Sequence, residues 1–138
     1  MTTINQARQS VYSRFKAQWE AQAPPVPAYT FEAEKFTPPV GAPWARATVR
    51  NLVGFQETLG PPGARKFGRR ALVFVQIFAP AGSGMAGLDL LGSLARGIFE
   101  GVSFDGLSFA GATLQEVGVD NGWNQVQLEA PFFYDETK

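Results

Sequence analysis

A glycine-rich turn after a strongly apolar stretch is the first place in this chain where chemistry could be sought. The stretch VFVQIFAPAGSG ends as a phosphate-binding turn between a strand and a helix would end. A P-loop needs Lys and then Ser or Thr after its last glycine, but Met85 and Ala86 follow Gly84. The G-x-G-x-x-G spacing of dinucleotide-binding folds is also absent. We therefore interpret this segment as a strand that ends at Pro80 and a turn, with Ser83 as a candidate helix cap.

The residue types that usually carry catalysis are scarce. The chain has no His and no Cys, so it lacks the usual general base, the thiolate nucleophile and the commonest metal ligands. We expect solvation of the adjacent carboxylates Asp135 and Glu136 to prevent the pKa tuning that acid–base catalysis needs. The DNG sequence at Asp120 is typical of a turn rather than of a calcium loop. We predict a protein that is not an enzyme and that needs no cofactor and no metal ion.

The charges cancel overall but are unevenly distributed. Twelve basic and twelve acidic residues give a net charge of zero, which favours neither nucleic acid nor a membrane surface. Half of the basic residues are Arg46, Arg50, Arg65, Lys66, Arg69 and Arg70. Residues 97–137 contain no basic residue and seven carboxylates, namely Glu100, Asp105, Glu116, Asp120, Glu129, Asp135 and Glu136. This distribution predicts a dipolar molecule.

The basic cluster, which consists of Arg65, Lys66, Arg69 and Arg70, has two interpretations. Its arginines and Lys66 could contact phosphates while Phe67 stacks on a base. Four charges flanked by glycines are more typical of a solvated loop or a protein contact, and we favour a protein contact over direct nucleic-acid binding. A basic loop on one face and an acidic strand on another suit a head-to-tail contact between subunits, which can close into a ring. The candidate self-association or docking residues are Arg46, Arg50, Arg65, Lys66, Phe67, Arg69, Arg70, Glu116, Glu129, Asp135 and Glu136.

Two amphipathic helices are predicted from apolar residues that recur at spacings of three and four. The first runs to about Gln22, and Thr3 and Gln6 have the spacing of a capping box. Its apolar stripe consists of Ile4, Ala7, Val11, Phe15 and Trp19. The stripe of the second helix consists of Leu88, Leu91, Leu94, Ala95 and Ile98.

Strands are predicted where polar and apolar residues alternate, at 29–34 and 44–52. Residues 71–79 are apolar on both faces, which is typical of a central strand covered on both sides. Further strands are expected at about 107–117 and 123–131, and Asn121-Gly122 favours a tight turn before the last strand. Residues 53–70 contain four glycines and two prolines, so we predict a long loop that carries the basic cluster.

The length and the order of these elements bound the fold class. A chain of 138 residues fits one domain, 1–138. We predict an α+β fold, with a mixed, largely antiparallel β-sheet, two main helices packed on it and a long basic loop before the central strand. The amino terminus lacks the pattern of a signal peptide, and no apolar stretch approaches the roughly 20 residues of a membrane span. We expect a soluble protein with no membrane partner.

Several segments together resemble a known family. They are YSRFKAQW in the first helix, FTPPVGAPWARATVR, QETLGPPGARKFGRR leading into VFVQIFAPAGSG, IFEG after the second helix and NGWNQVQLEAPFFYDE at the end. In this order and spacing they resemble the lambda-type tail terminator-like proteins of long-tailed bacteriophages, over nearly the whole chain. The chain departs from the family pattern at Asn124, where a second aromatic residue is common, and at Ala71, where glycine is common.

The resemblance implies a structural protein of a phage or prophage. Its subunits would form a ring, a hexamer in the family, on the end of a finished tail tube, stop its polymerisation and offer the head-joining surface. The implied partners are further copies of the chain, the tail tube protein and a head-completion or connector protein. The implied location is the host cytoplasm during assembly and then the head-proximal end of the virion tail. The resemblance also implies that residues 53–70 become ordered on docking.

Two alternatives stay open. Another head–tail connector or neck protein would share the size, the ring assembly and the loop-mediated contacts. A single-stranded nucleic-acid-binding module would use the basic residues 65–70 and Phe67.

Overall fold

The predicted α+β architecture is confirmed in a computed structural model, which describes residues 3–22, 27–39, 41–82 and 84–137. In these ranges two helices accompany a seven-stranded sheet. In chain order the elements are α1 (Ile4–Glu20), β1 (Ala28–Phe31), β2 (Trp44–Gln56), β3 (Lys66–Pro80), α2 (Ala86–Phe99), β4 (Ser103–Phe104), β5 (Leu107–Phe109), β6 (Thr113–Asp120) and β7 (Trp123–Thr137).

The sheet is mixed and mostly antiparallel, as predicted. Its strand order is β1-β2-β3-β7-β5-β4, and β6 pairs with the first half of β7. Only the β1–β2 pair is parallel among the described strands. The long strands β2, β3 and β7 therefore form the centre of the sheet, and the short strands lie at its margins.

Helix α1 begins as its sequence predicts. Thr3 Oγ1 accepts a hydrogen bond from Gln6 N at 3.2 Å, and Gln6 Oε1 accepts one from Thr3 N at 3.0 Å. This capping box satisfies two of the amide groups that a helix start leaves free. The helix ends at Glu20, slightly before the predicted end, and its buried stripe is Ala7, Val11, Phe15 and Trp19.

One face of the sheet forms the core. Alternate residues of the three long strands are buried there, and both helices contribute to the same hydrophobic cluster. Its members include Phe15 of α1, Leu88 of α2, Val75 of β3 and Leu128 of β7. Burial of apolar side chains between two layers is the main stabilising contribution to such a fold.

The prediction that β3 is covered on both faces is wrong. On the outer face Leu72, Phe74, Gln76 and Phe78 are only half-buried, since both helices pack on the inner face. Neighbouring strands provide the partial cover instead: the ring of Trp44 stacks on Phe78 at 4.2 Å between centroids. Cross-strand aromatic pairs of this kind explain why the strand is apolar on a face that no helix covers.

Several strand boundaries differ from the prediction. Strand β1 stops at Phe31, because Ala33 adopts a φ of 65° that a regular strand does not allow. The expected strand at 107–117 is interrupted at 110–112, and its two parts, β5 and β6, pair in succession with the same edge of β7. Strand β7 continues to Thr137 rather than to Pro131.

Half of the predicted long loop at 53–70 is strand, which corrects the sequence interpretation. Strand β2 continues to Gln56 and β3 begins at Lys66, so the loop comprises only 57–65. A register shift between Asn51 and Gly54 lets the pairing continue past the irregular sequence. We call residues 52–70 and 133–137 the arm, because they extend the sheet beyond Ala71, the first residue of β3 in the core.

The length and the apolar content of the two helices decide whether either could cross a membrane. Within the described ranges, neither α1 nor α2 has the length and apolar character of a membrane-spanning helix.

The assignment of the two faces of β7 can be tested by a pair of substitutions. Leu128→Ala leaves a cavity in the core and should lower the free energy of unfolding by about 2–5 kcal/mol. Gln125→Ala, on the outer face of the same strand, should change it by less than about 0.5 kcal/mol. Urea denaturation of both variants checks this, and equal losses would contradict the one-sided core.

Candidate docking surface

The inner face of the arm holds a salt bridge within one chain. Arg69 Nη2 donates to Glu136 Oε1 at 2.8 Å and Arg69 Nε donates to the same oxygen at 3.2 Å. Glu136 is only 7% exposed. Gly54 makes room for this contact, because a Cβ there would collide with the guanidinium of Arg69. The contact therefore stabilises the arm, and the charges of Arg69 and Glu136 neutralise each other.

A neighbouring hydrogen bond strengthens the same face. Tyr134 Oη donates to Asn51 Oδ1 at 3.1 Å, which ties β7 to β2 across β3. Burial raises the pKa of Tyr134, and the carboxylate of Glu136 adds to this effect. Tyr134 therefore stays protonated and remains a donor throughout the neutral range.

Three charged groups meet on the outer face near the tip of the arm. Lys66 Nζ lies 3.6 Å from Asp135 Oδ2. A hydrogen bond to Asp135 raises the pKa of Glu57, because two carboxyl groups can hydrogen-bond to each other only when one is protonated. Burial and the charge of Asp135 raise the pKa of Glu57 further, while Lys66 lowers it.

The outer face also carries an arginine between two phenylalanines. The guanidinium carbon of Arg70 lies 5.8 Å from the ring centroid of Phe55 and 5.5 Å from that of Phe133. Phe55 is 45% exposed and Phe133 is 42% exposed. Arg70 is exposed and, within the described part of the chain, forms no salt bridge. We call Arg70, Phe55 and Phe133 the arginine–phenylalanine patch.

The patch combines residue types that are common in protein-binding sites. Arginine and aromatic residues are enriched among the interface residues that contribute most to binding. The phenylalanine rings hold the guanidinium in one place, so less side-chain entropy is lost when a partner binds. The free guanidinium has donors suited to a carboxylate of that partner.

The structure corrects the expected separation of basic and acidic faces. Lys66 and Arg69 lie beside Asp135 and Glu136 on the same arm of the same chain. The reason is the length of β7, which pairs with β3 as far as Thr137 opposite Lys66. These four residues largely neutralise one another, whereas Arg70 forms no salt bridge in the described ranges and lies between exposed rings.

The remaining candidate residues do not join the patch. Arg50 forms a salt bridge with Glu32, and the guanidinium of Arg46 lies 5.3 Å from the ring of Trp44. Glu116 is exposed on β6. Glu129 lies on β7, where its Oε1 accepts a hydrogen bond from Gln127 Nε2 at 3.3 Å.

Phe67 is poorly placed to stack on a nucleic-acid base. Its ring is half-buried, and the guanidinium carbons of Arg65 and Arg69 lie 5.9 and 5.4 Å from its centroid. A base would have to displace one of these guanidinium groups, and Arg69 is bound to Glu136. This geometry counts against the single-stranded nucleic-acid interpretation.

Sequence reasoning missed the two phenylalanines of the patch. The alternation of Phe132, Phe133 and Tyr134 would have placed Phe133 on the outer face if the last strand had been extended past Pro131. Phe55 gave no comparable signal, because the glycines and prolines around it favour a loop.

Two glycines of the segment after β3 adopt the left-handed backbone conformation that turns often need. Gly82 and Gly84 have φ values of 89° and 80°, which favour glycine. Ser83 lies outside the described residues, and the N-cap of α2 is Met85, which makes no side-chain capping bond. The described residues contain no group of three potential metal ligands from His, Cys, Asp or Glu.

Comparison with known proteins shows the fold alone. No family model matches the chain, and no curated protein matches it in sequence. One solved structure of another protein, which bears no functional name, aligns with 100% of this chain and 99% of its own, with a TM-score of 0.72 and 14% sequence identity. The chain therefore shares its overall fold with a protein of very different sequence.

Substitution of the two neighbouring arginines on opposite faces of the arm should change the stability by different amounts. Arg69→Gln leaves the buried Glu136 without its partner and should lower the free energy of unfolding by about 2 kcal/mol. Arg70→Gln removes only contacts with exposed rings and should cost less than about 1 kcal/mol. Chemical denaturation of both variants measures the difference, and a larger loss for Arg70→Gln would refute this assignment.

The raised pKa of Glu57 predicts a pH-dependent effect. A carboxyl whose pKa is higher in the folded than in the unfolded chain favours folding at acid pH, and this contribution is lost as the pH rises through the folded-state pKa. Glu57→Gln should therefore raise the melting temperature at pH 7 and change it little at pH 4. Thermal unfolding at the two pH values tests this, with Glu34→Gln as the control outside the arm. A stabilisation that is the same at both pH values would contradict the carboxyl pair.

Proposed function

We propose that this protein is the tail terminator of a long-tailed phage or prophage. Its subunits form a ring, a hexamer as in the family that the sequence resembles, on the end of the tail tube. The ring stops tube polymerisation and presents the surface that joins the head. The role is structural rather than catalytic, and the protein moves from the host cytoplasm to the head-proximal end of the virion tail.

The observation that carries this proposal is the arm with its arginine–phenylalanine patch. A β-sheet extension that lies mostly beyond the core, and that exposes an arginine between two phenylalanines, is suited to contact another macromolecule. The quoted segments that resemble tail terminators include most of this arm, at 56–70 and 133–136, and the family resemblance supplies the partners. They are a second copy of the chain, the tail tube protein and a head-completion or connector protein.

The contact inside the arm supports a docking role in a second way. Arg69 and Glu136 rigidify the arm on its inner face, so the outer patch is held in place before a partner binds. In this mechanism Arg70 pairs with a carboxylate of the neighbouring subunit or of the tube, and the exposed phenylalanine rings exclude water around that pair.

A head–tail connector or neck protein is the second candidate, because the same arm could contact a head protein rather than the tube. Electron microscopy of tails assembled without the protein separates the two. A terminator leaves overlong tubes, whereas a connector leaves tubes of normal length that do not join heads.

The patch provides a direct test of the proposed docking. Arg70→Glu should abolish binding to tube ends, seen by negative-stain electron microscopy, and should reduce oligomers in sedimentation at low salt. Lys16→Glu is the control, because it makes the same change of charge at an exposed position of α1 that is far from the arm in sequence. It should leave tube-end binding and oligomer formation unchanged. Wild-type protein that leaves tube ends bare, at any concentration, would overturn the proposed function.

A further inference from the structure

The two ends of strand β3 carry complementary features. The arm tip, residues 57–65, precedes Lys66 at one end, and an apolar pocket borders Ala79 and Pro80 at the other end. A strand rises about 3.3 Å per residue, so the two features lie about 45 Å apart on one subunit. They cannot meet within the same chain.

The arm tip presents a leucine to solvent. Leu59 is 93% exposed, the highest value among the large apolar residues described as exposed. Hydrogen bonds hold the loop around it: Thr58 Oγ1 accepts from Lys66 N at 2.8 Å, and Thr58 O accepts from Gln56 Nε2 at 2.8 Å. Because the loop is ordered before any contact forms, insertion of Leu59 into a pocket costs little conformational entropy.

The pocket at the opposite end is apolar and open. It has a volume of about 290 Å³, and Ala79, Pro80, Leu88 and Leu91 contribute to its walls. Gly87 of α2 borders it, and a Cβ at Gly87 would meet no atom within 4 Å. The pocket therefore has room for an aliphatic side chain, and its lining is mostly apolar.

Groups of opposite charge lie near the two features. Glu57 at the arm tip is engaged with Asp135, which leaves Arg65 as the charged group of the tip that can meet carboxylates at the pocket. Asp89 lies in the first turn of α2, and Asp120 ends the strand before the turn whose Gly122 accepts a hydrogen bond from Ala81 N at 2.9 Å. Both carboxylates are exposed, and neither forms a salt bridge in the described ranges. Arg65, at the base of the arm tip, likewise lacks a carboxylate partner there. If the arm tip of one subunit lay at the pocket of another, Arg65 of the first would come close to Asp89 and Asp120 of the second.

We propose that Leu59 of one subunit inserts into the apolar pocket of the next subunit and forms the head-to-tail joint of the ring. Both halves of the joint belong to the same chain and lie at opposite ends of β3, and Arg65 beside one half can pair with Asp89 or Asp120 beside the other. A head-to-tail contact between identical subunits requires two such different, matching surfaces. A contact between different surfaces closes into a ring or grows into a filament. This inference rests on the self-association in the proposed function and is independent of tube docking.

Cysteine cross-linking tests the joint, because the chain has no cysteine of its own. Leu59→Cys protein mixed with Gly87→Cys protein, alone and with tail tubes, should form a disulfide-linked pair under mild oxidation. Gly97→Cys is the matched control, since Gly97 lies on the same helix and also borders open space. We expect at least tenfold more linkage to Gly87→Cys, and equal linkage to both positions would overturn the proposal.

Filling the pocket provides a second test. Gly87→Leu lies in a helix and has free space, so the variant should fold, and sedimentation velocity should show at least tenfold weaker self-association. Leu59→Ser should have the same effect. Gly97→Leu and Leu90→Ser, which alters a leucine that is 70% exposed on α2, are the controls and should assemble normally.

The outcomes separate this inference from tube docking. Cross-linked rings that leave tube ends bare would support the joint and refute the terminator. Tube ends capped equally by the wild type and Gly87→Leu would refute the joint and support the terminator. Loss of tube binding by Leu59→Ser, with Gly87→Leu unaffected, would place Leu59 against the tube protein and overturn the joint. Protein that stays monomeric and unlinked with tubes present would overturn both.

Discussion

The pairing of β7 with β3 is the constraint on which the rest of the structure depends. The two strands are in register over fifteen successive residue pairs, from Lys66 opposite Thr137 to Pro80 opposite Trp123. The middle of this ladder supplies the central residues of the core, and its far part forms two of the three strands of the arm. Because one ladder runs through both regions, the position of the arm is fixed relative to the helical core.

The same ladder divides the charges of the arm between its two faces. Side chains alternate along a strand, so adjacent residues such as Arg69 and Arg70 point to opposite sides. Arg69 reaches the buried Glu136 and stabilises the arm, whereas Arg70 lies between two exposed rings and keeps its charge free. A one-residue change of register would exchange these roles. The function proposed for the patch therefore depends on the register of a strand pair.

The parts of the fold that follow from local pattern were predictable, and those that follow from long-range pairing were not. The helices, the capping box at Thr3 and the inner face of β3 follow from periodicity within a few residues. Residues 53–70 were predicted as a loop because their glycines weaken the strand pattern. In the structure one of these glycines is needed for strand packing, since a Cβ at Gly68 would lie 2.9 Å from Phe55 Cζ. Among the candidate site residues, Arg70 was predicted, but its separation from Arg69 needed the pairing with β7.

The open edges of the sheet leave the ends of the strands as the better place for assembly. Strand β1 has only four residues, which limits any pairing with a second chain. Strand β6 exposes Val119, yet its register shifts between Glu116 and Gly118, and Gly118 has a φ of 101°. Such a bulge disrupts the row of backbone groups that another strand would need. Contacts through the arm tip and the opposite end of β3 involve neither β1 nor β6, so subunits can associate without pairing through these strands.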